Sequence, residues 1–243
     1  MKKKTKKKIK LAVFDIDGTI FRSSLLIELI NELVRAGVFP RKAKKEMEED
    51  YLAWLNRKGT YDAYINQVVT IHLRYIKGCR EQEVLRVARK VVARQKDRVY
   101  RFTRDLIKQL RSKKFYIIAI SGSPEYIVSM FTKYLRFDDS FGGKFEIQKG
   151  IFTGNIISWD SWHDKSRILK NIIRSFRFSV DLKRSVAVGD TASDIPMLKM
   201  VGNPIAFNPN KPFVEYAKRR GWRIIVERKD TIYDIKRFDF PRS

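Results

Sequence analysis

At 243 residues the chain is long enough for one sizeable α/β domain with a smaller insert. Its single cysteine, Cys79, excludes an internal disulfide framework or a cysteine metal site, as suits a reducing compartment, and its two histidines, His72 and His163, lie too far apart in sequence to build a zinc site unaided. The formal charge of +25, at a pI near 10.2, is the unusual bulk property and points to attraction for anions, whether phosphate esters, nucleic acid or an anionic membrane surface.

The first element is a short apolar run, Leu11-Ala12-Val13-Phe14, of the kind that suits a strand buried on both faces of a parallel sheet. It ends in Asp15, Asp17, Gly18 and Thr19. The period then changes. Leu25, Leu26, Leu29, Ile30, Leu33 and Val34 recur at helical spacing and Gly37 closes the run. Pro40 opens a second helix, expected to bury Tyr51, Leu52, Trp54 and Leu55. Thr60 is placed as the N-cap of a third helix to about Ile76, and a fourth starts near Glu81. A helical stretch of this length is too long for one crossover in a sheet domain, so residues 22–97 read as an inserted helical subdomain. A helix over Arg101–Ser112 and a strand over Phe115–Ile120 resume the α/β pattern. A helix follows from Pro124, then a glycine-rich hairpin between Phe141 and Ile157 and a helix over Asp164–Phe176. Val186-Ala187-Val188 is a buried strand, Asp194–Met200 a helix, Ile205-Ala206-Phe207 a strand, Pro212–Arg220 a helix and Arg223–Val226 a last strand. The chain beyond Lys229 reads as peripheral. The expected fold is α/β, a doubly wound, mainly parallel sheet with an inserted helical cap, divided as 1–8 basic tail, 9–21 and 98–243 core, and 22–97 cap.

The polar strand ends carry the chemistry. Open α/β sheets place their sites outside the carboxyl ends of the strands. Asp15 and Asp17, two residues apart, would repel unless a cation or a shared proton offset them, and a hard cation with oxygen ligands is the natural partner. Ser121 and Gly122 bring a hydroxyl and backbone N–H groups just before a helix, as a phosphate cradle needs. Lys165 offers a compact cation, and Asp190 and Asp194 bring two more acids after the third strand. Taken singly, each residue also has a structural reading: a turn, a helix cap or a surface charge.

Taken together, Asp15-Ile16-Asp17-Gly18-Thr19, Ser121-Gly122-Ser123, Lys165 and Gly189-Asp190-Thr191-Ala192-Ser193-Asp194 resemble the four ordered motifs of the haloacid-dehalogenase superfamily. The helical insert resembles the cap of the branch that contains phosphoserine phosphatase. The resemblance implies a Rossmann-like core and a phosphomonoester hydrolase acting on a small phosphorylated metabolite. Asp15 would be the nucleophile that forms an aspartyl-phosphate, and Asp17 the general acid and base. Ser121, Gly122 and Lys165 would bind the phosphoryl oxygens, and Mg2+ would be held by Asp15, Asp190 and the Asp17 main-chain carbonyl. Asp194 would orient Lys165 or a metal-bound water, and Thr19 would support the loop.

Substrate recognition is where the sequence departs from that branch. Ser24 and Val68 stand where phosphoserine phosphatases place a glutamate and an arginine for the amino acid. Glu28 and Arg74 are displaced alternatives, and Arg22, Ser23, Tyr61, Tyr64 and Arg74 are candidate cap contacts. A phosphotransferase or mutase on the same scaffold, and a basic accessory protein that contacts nucleic acid or an anionic surface weakly through its lysine tail, remain alternatives. The N-terminus does not read as a secretory signal and no stretch has the length of a membrane helix, so the expectation is a cytoplasmic protein.

Overall fold

The structure, a computed structural model, describes residues 8–158 and 164–235, so the tail through residue 7 and His163 lie outside the described residues. Eight strands form one sheet in the order β4-β3-β2-β1-β5-β6-β7-β8. They are β1 (Leu11–Phe14), β2 (Tyr116–Pro124), β3 (Asp139–Gln148), β4 (Ile151–Ser158), β5 (Val186–Gly189), β6 (Asn203–Phe207), β7 (Arg223–Arg228) and β8 (Thr231–Ile235). The six inner strands run parallel, and β4 and β8 close the two edges antiparallel. All four residues of β1 are buried. Ala12 and Phe14 pack into one apolar layer and Leu11 and Val13 into the other, as the period of two requires of a strand covered on both faces. From β1 the chain steps outward through β2, β3 and β4, then crosses back and steps the other way through β5 to β8. The carboxyl end of β1 is therefore the topological switch point, where open α/β sheets form their crevice.

Between β1 and β2 come four helices, α1 (Leu25–Arg35), α2 (Arg41–Leu55), α3 (Tyr61–Ile76) and α4 (Glu81–Gln95), followed by α5 (Arg101–Ser112). The Thr60 hydroxyl accepts from the Ala63 N–H at 3.1 Å, so α3 is capped as its sequence predicts. The later helices are α6 (Glu125–Tyr134), α7 (Lys165–Ser175), α8 (Ile195–Leu198) and α9 (Lys211–Arg219). The β3–β4 hairpin is tied to the α3–α4 link by three main-chain bonds. Gly78 N donates to Phe152 O at 2.8 Å, Phe152 N to Cys79 O at 3.0 Å and Glu81 N to Gly150 O at 2.8 Å. Among the described residues no helix is long and apolar enough to cross a membrane.

Several elements differ from the sequence reading. On α2 it is Ala43 and Met47 that are buried, whereas Tyr51, Leu52 and Leu55 are 38%, 46% and 53% exposed. The first half of α2 meets its neighbours. The second half ends in a ring cluster in which Trp54 stacks on Tyr64 with a 6.1 Å centroid separation, leaving the outer apolar faces to solvent. After Lys229, Thr231–Ile235 forms β8 on the edge of β7, a strand the sequence reading did not anticipate. β2 continues through Ser121, Gly122 and Ser123 to Pro124 rather than breaking into a loop, and α8 is a single turn preceded by a 3-10 turn at 192–194. His72 is fully buried between Phe39 and Phe145, and among the described residues neither ring nitrogen has a hydrogen-bond partner.

Candidate active site

Strand register assembles the site. Phe14 pairs with Ala119 of β2 and with Val188 of β5, so the next residues along all three strands emerge side by side. Asp15 follows directly and its N–H donates to Val188 O at 2.9 Å. Ser121 and Asp190 each lie two residues beyond their paired partners. Lys165, the first residue of α7, reaches the same point because Asp164 caps that helix, accepting from Ser166 N at 3.0 Å and Arg167 N at 3.3 Å.

Lys165 Nζ donates to Asp15 Oδ1 at 2.5 Å and to Asp194 Oδ1 at 2.6 Å, and all three residues are buried. The second oxygen of Asp194 accepts from the main-chain N–H groups of Asp190 and Thr191, each at 3.0 Å, which fixes the loop after β5. Gly189 permits this approach: a Cβ there would lie 2.5 Å from the Asp194 side chain. Gly18, at φ +81°, likewise leaves room that the Asp190 carboxylate fills. Thr19 Oγ1 donates to Asp190 Oδ1 at 3.4 Å, and its carbonyl accepts from Thr103 Oγ1 of α5 at 3.0 Å.

Asp17 is held by a different set of donors. Its Oδ1 accepts from the Leu25 N–H at 2.6 Å, capping α1, while Oδ2 accepts from the hydroxyls of Ser121 at 2.6 Å and Ser123 at 2.8 Å. Ser121 and Ser123 are both buried with their hydroxyls on Asp17, and Gly122 and Ser123 line the cavity beside them. Ser123 was legible only as a motif neighbour, yet it sits two residues from Ser121 in extended chain and so shares its side of the strand.

Burial pushes the Asp15 carboxyl up to about 7; Lys165 opposes that shift, while Asp194 and Asp17 add to it. Burial also raises Asp190 well above the ordinary carboxylate range, with Asp15 and Asp194 as the next causes. Burial alone would pull the Lys165 ammonium down, but Asp15 and Asp194 outweigh it and hold its pKa above the ordinary value. Asp15, Asp190 and Asp194 each offer an oxygen, all within 4.8 Å of one another. Asp15 Oδ2 is buried and, among the described residues, has no hydrogen-bond partner. An orphaned carboxylate oxygen beside a second crowded acid fits a hard divalent cation. Asp194, with both oxygens already engaged, fits the role of holding Lys165 better than that of ligand.

Asp15, Asp17, Lys165 and Asp190 line a cavity of about 240 Å³ whose opposite wall comes from α1 and α3. Of the candidate cap contacts, Tyr61 lines it. Arg74 is spent on Glu46 at 2.8 Å, Glu28 on Arg98 at 2.9 Å, and the Ser23 hydroxyl donates to Glu28 at 3.1 Å. Arg22 lies over the Tyr100 ring and Tyr64 packs in the ring cluster of α2 and α3. Ser24 and Val68, the two positions that depart from the phosphoserine phosphatase pattern, both line the cavity, with Leu26, Asp62, Ile65 and Asn66 beside them. These four were not anticipated: a helix pattern shows which residues share a face, not which face meets the strand ends.

A family model for haloacid dehalogenase-like hydrolases matches residues 12–199. The chain belongs to this family. A phosphoserine phosphatase of Methanocaldococcus jannaschii is 25% identical over 225 residues, covering 92% of this chain and 95% of the relative. One from Archaeoglobus fulgidus is 25% identical over 210 residues, covering 86% of this chain but 55% of its own. One from Mycobacterium tuberculosis is 27% identical over 128 residues, 53% of this chain and 41% of the relative. The chain thus spans about half the length of some of the curated relatives it matches. Among solved structures, a protein of unknown function from Bordetella pertussis superposes with a TM-score of 0.72 at 18% identity, covering 90% of this chain and 98% of the other. A phosphoserine phosphatase carrying an analogue of a phospho-aspartyl intermediate superposes with a TM-score of 0.61 at 24% identity, covering 92% and 96%. At these identities the superpositions establish the shared fold.

Proposed function

We propose that this hydrolase cleaves a small phosphomonoester through a phosphorylated Asp15. The observation that carries the reading is the buried Asp15 carboxylate, with one oxygen fixed by Lys165 and the other, at the cavity, unpartnered among the described residues. One oxygen of the Asp15 carboxylate attacks phosphorus, forming the aspartyl–phosphorus bond as the bond to the alcohol oxygen breaks. Asp17 protonates the departing alcohol. It then takes a proton from the water that attacks phosphorus, the aspartyl oxygen–phosphorus bond breaks, and inorganic phosphate leaves. Lys165 and the Gly122 N–H receive the phosphoryl oxygens, while the Ser121 and Ser123 hydroxyls, both donated to Asp17 Oδ2, hold that carboxylate in place. The Asp15 and Asp190 carboxylates and the Asp17 main-chain carbonyl would hold Mg2+, which supplies charge neutralisation for the approach of carboxylate to ester. In this reading residues 22–97 are the cap and residues 9–21 with 98–243 the core.

The test is phosphate release from an activated aryl ester, p-nitrophenyl phosphate, with Mg2+ or with EDTA. Release is expected only with Mg2+ and is lost in Asp15→Asn. Asp17→Asn is expected to slow both half-reactions by a factor on the order of 10² to 10⁴. Labelled phosphate retained on the acid-quenched wild-type chain and absent from Asp15→Asn supports the intermediate. Near-normal turnover by Asp15→Asn would overturn it.

A further inference from the structure

The cavity wall opposite the acids constrains what the phosphate is attached to, and the following rests on the phosphatase reading above. Among the described residues, Lys165 is the single cation that lines the cavity, and it is already divided between Asp15 and Asp194. The far wall is apolar at Leu26, Ile65 and Val68. Its polar groups are the neutral side chains of Ser24, Tyr61 and Asn66, and its one further charge is the Asp62 carboxylate. None of the arginines weighed as cap contacts lines the cavity: Arg74 pairs with Glu46 and Arg22 lies over the Tyr100 ring, while Arg98 pairs with Glu28. A substrate carboxylate or second phosphate set against this wall would exchange water for neutral donors only, with no cationic side chain among the described lining residues to offset its charge. Asp62 would repel it further.

We propose that the alcohol half of the substrate carries no negative charge: the site takes the phosphomonoester of a small uncharged or cationic alcohol. Leu26, Ile65 and Val68 contact its carbon body, and Asn66, Tyr61 and Asp62 meet its hydroxyl or ammonium group. Specificity here is exclusion as much as attraction, since the far wall offers a second anion no cationic partner and one like charge to avoid.

The experiment uses the full chain with Mg2+ and two pairs of esters that differ in one carboxylate: O-phosphoethanolamine against O-phosphoserine, and glycerol 2-phosphate against 2-phosphoglycerate. Each is measured for its own turnover and for inhibition of p-nitrophenyl phosphate hydrolysis, so an ester that is bound without being cleaved still reports. The member lacking the carboxylate is expected to win by at least about tenfold in each pair, in kcat/KM or in inhibition constant. Ile65→Lys, which places a cation on the half-buried part of the wall, is expected to shrink both ratios by about tenfold. Because the two esters meet the same folded enzyme, these ratios are insensitive to any loss of stability. Equal use of both members, preference for the carboxylate, or no inhibition by any of the four overturns the proposal. Absence of Mg2+-dependent release from p-nitrophenyl phosphate itself would instead sink the phosphatase reading on which it rests.

Discussion

Lys165 stands between two acids that would otherwise be buried together. Removing it leaves Asp15 and Asp194 without their shared cation, and uncompensated buried carboxylates cost about 3–5 kcal/mol. Lys165→Met is therefore expected to lower the urea midpoint of the metal-free protein by that equivalent with an unchanged slope, and a loss under about 1 kcal/mol would show that the pair is not load-sharing in the folded state. His72 gives a separate pH dependence. Burial lowers its pKa from 6.5 to about 3, so the unfolded chain binds the extra proton first. Its contribution is complete above the unfolded value and is lost as pH falls below it, by about 2 kcal/mol at pH 5. His72→Leu is expected to lose less stability than wild type between pH 7.5 and pH 5; parallel losses would mean the ring is protonated where it sits. The four acids and Lys165 were legible in the sequence because residue type and strand end together imply a chemistry. Arg74 and Glu28 were not, because a charge on a helix can face a cavity or a neighbouring helix, and both chose the neighbour.

Elements were easiest to read where local rules and burial agree. β1 is apolar on both faces and buried on both, and α3 begins at the residue whose hydroxyl caps it. α2 went wrong because apolar residues at helical spacing imply a packed face only if a neighbour arrives, and its second half has solvent there. β8 was missed because its five residues are mostly exposed and its pairing partner, β7, is the evidence for it. A contact invisible to any local rule joins β7 to α5. The Glu227 carboxylate accepts from the N–H of Arg101 at 3.0 Å and of Phe102 at 2.9 Å, satisfying two donors at the helix start. That helix carries Thr103, which holds the Thr19 carbonyl next to the site. Glu227→Ala is expected to cost about 1–3 kcal/mol in chemical unfolding, since two partly buried donors lose their acceptor. Glu227→Gln, which keeps one acceptor oxygen, is expected to lose less. If both substitutions were neutral, α5 would be held by its apolar face alone.

At the scale of the whole molecule the charge and the site act together. The sheet gathers three strand tips and one helix start at its switch point, and the acids there leave little that attracts a phosphate until a cation joins them. The chain as a whole can supply a long-range pull: 52 lysines and arginines against 27 acids give it a strongly positive net charge. Salt shortens the reach of that pull from about 30 Å at 0.01 M to about 8 Å at 0.15 M, whereas Lys165, buried and in contact, is screened far less. Encounter with a phosphomonoester dianion should therefore weaken with ionic strength while the chemistry inside the cavity does not. With p-nitrophenyl phosphate at fixed Mg2+, KM is expected to rise at least about threefold between 10 and 150 mM NaCl with kcat nearly constant. A fall in kcat with constant KM would place the salt effect on the buried charges instead. A flat KM would mean that the net positive charge is distributed away from the cavity mouth and serves the surface rather than the substrate.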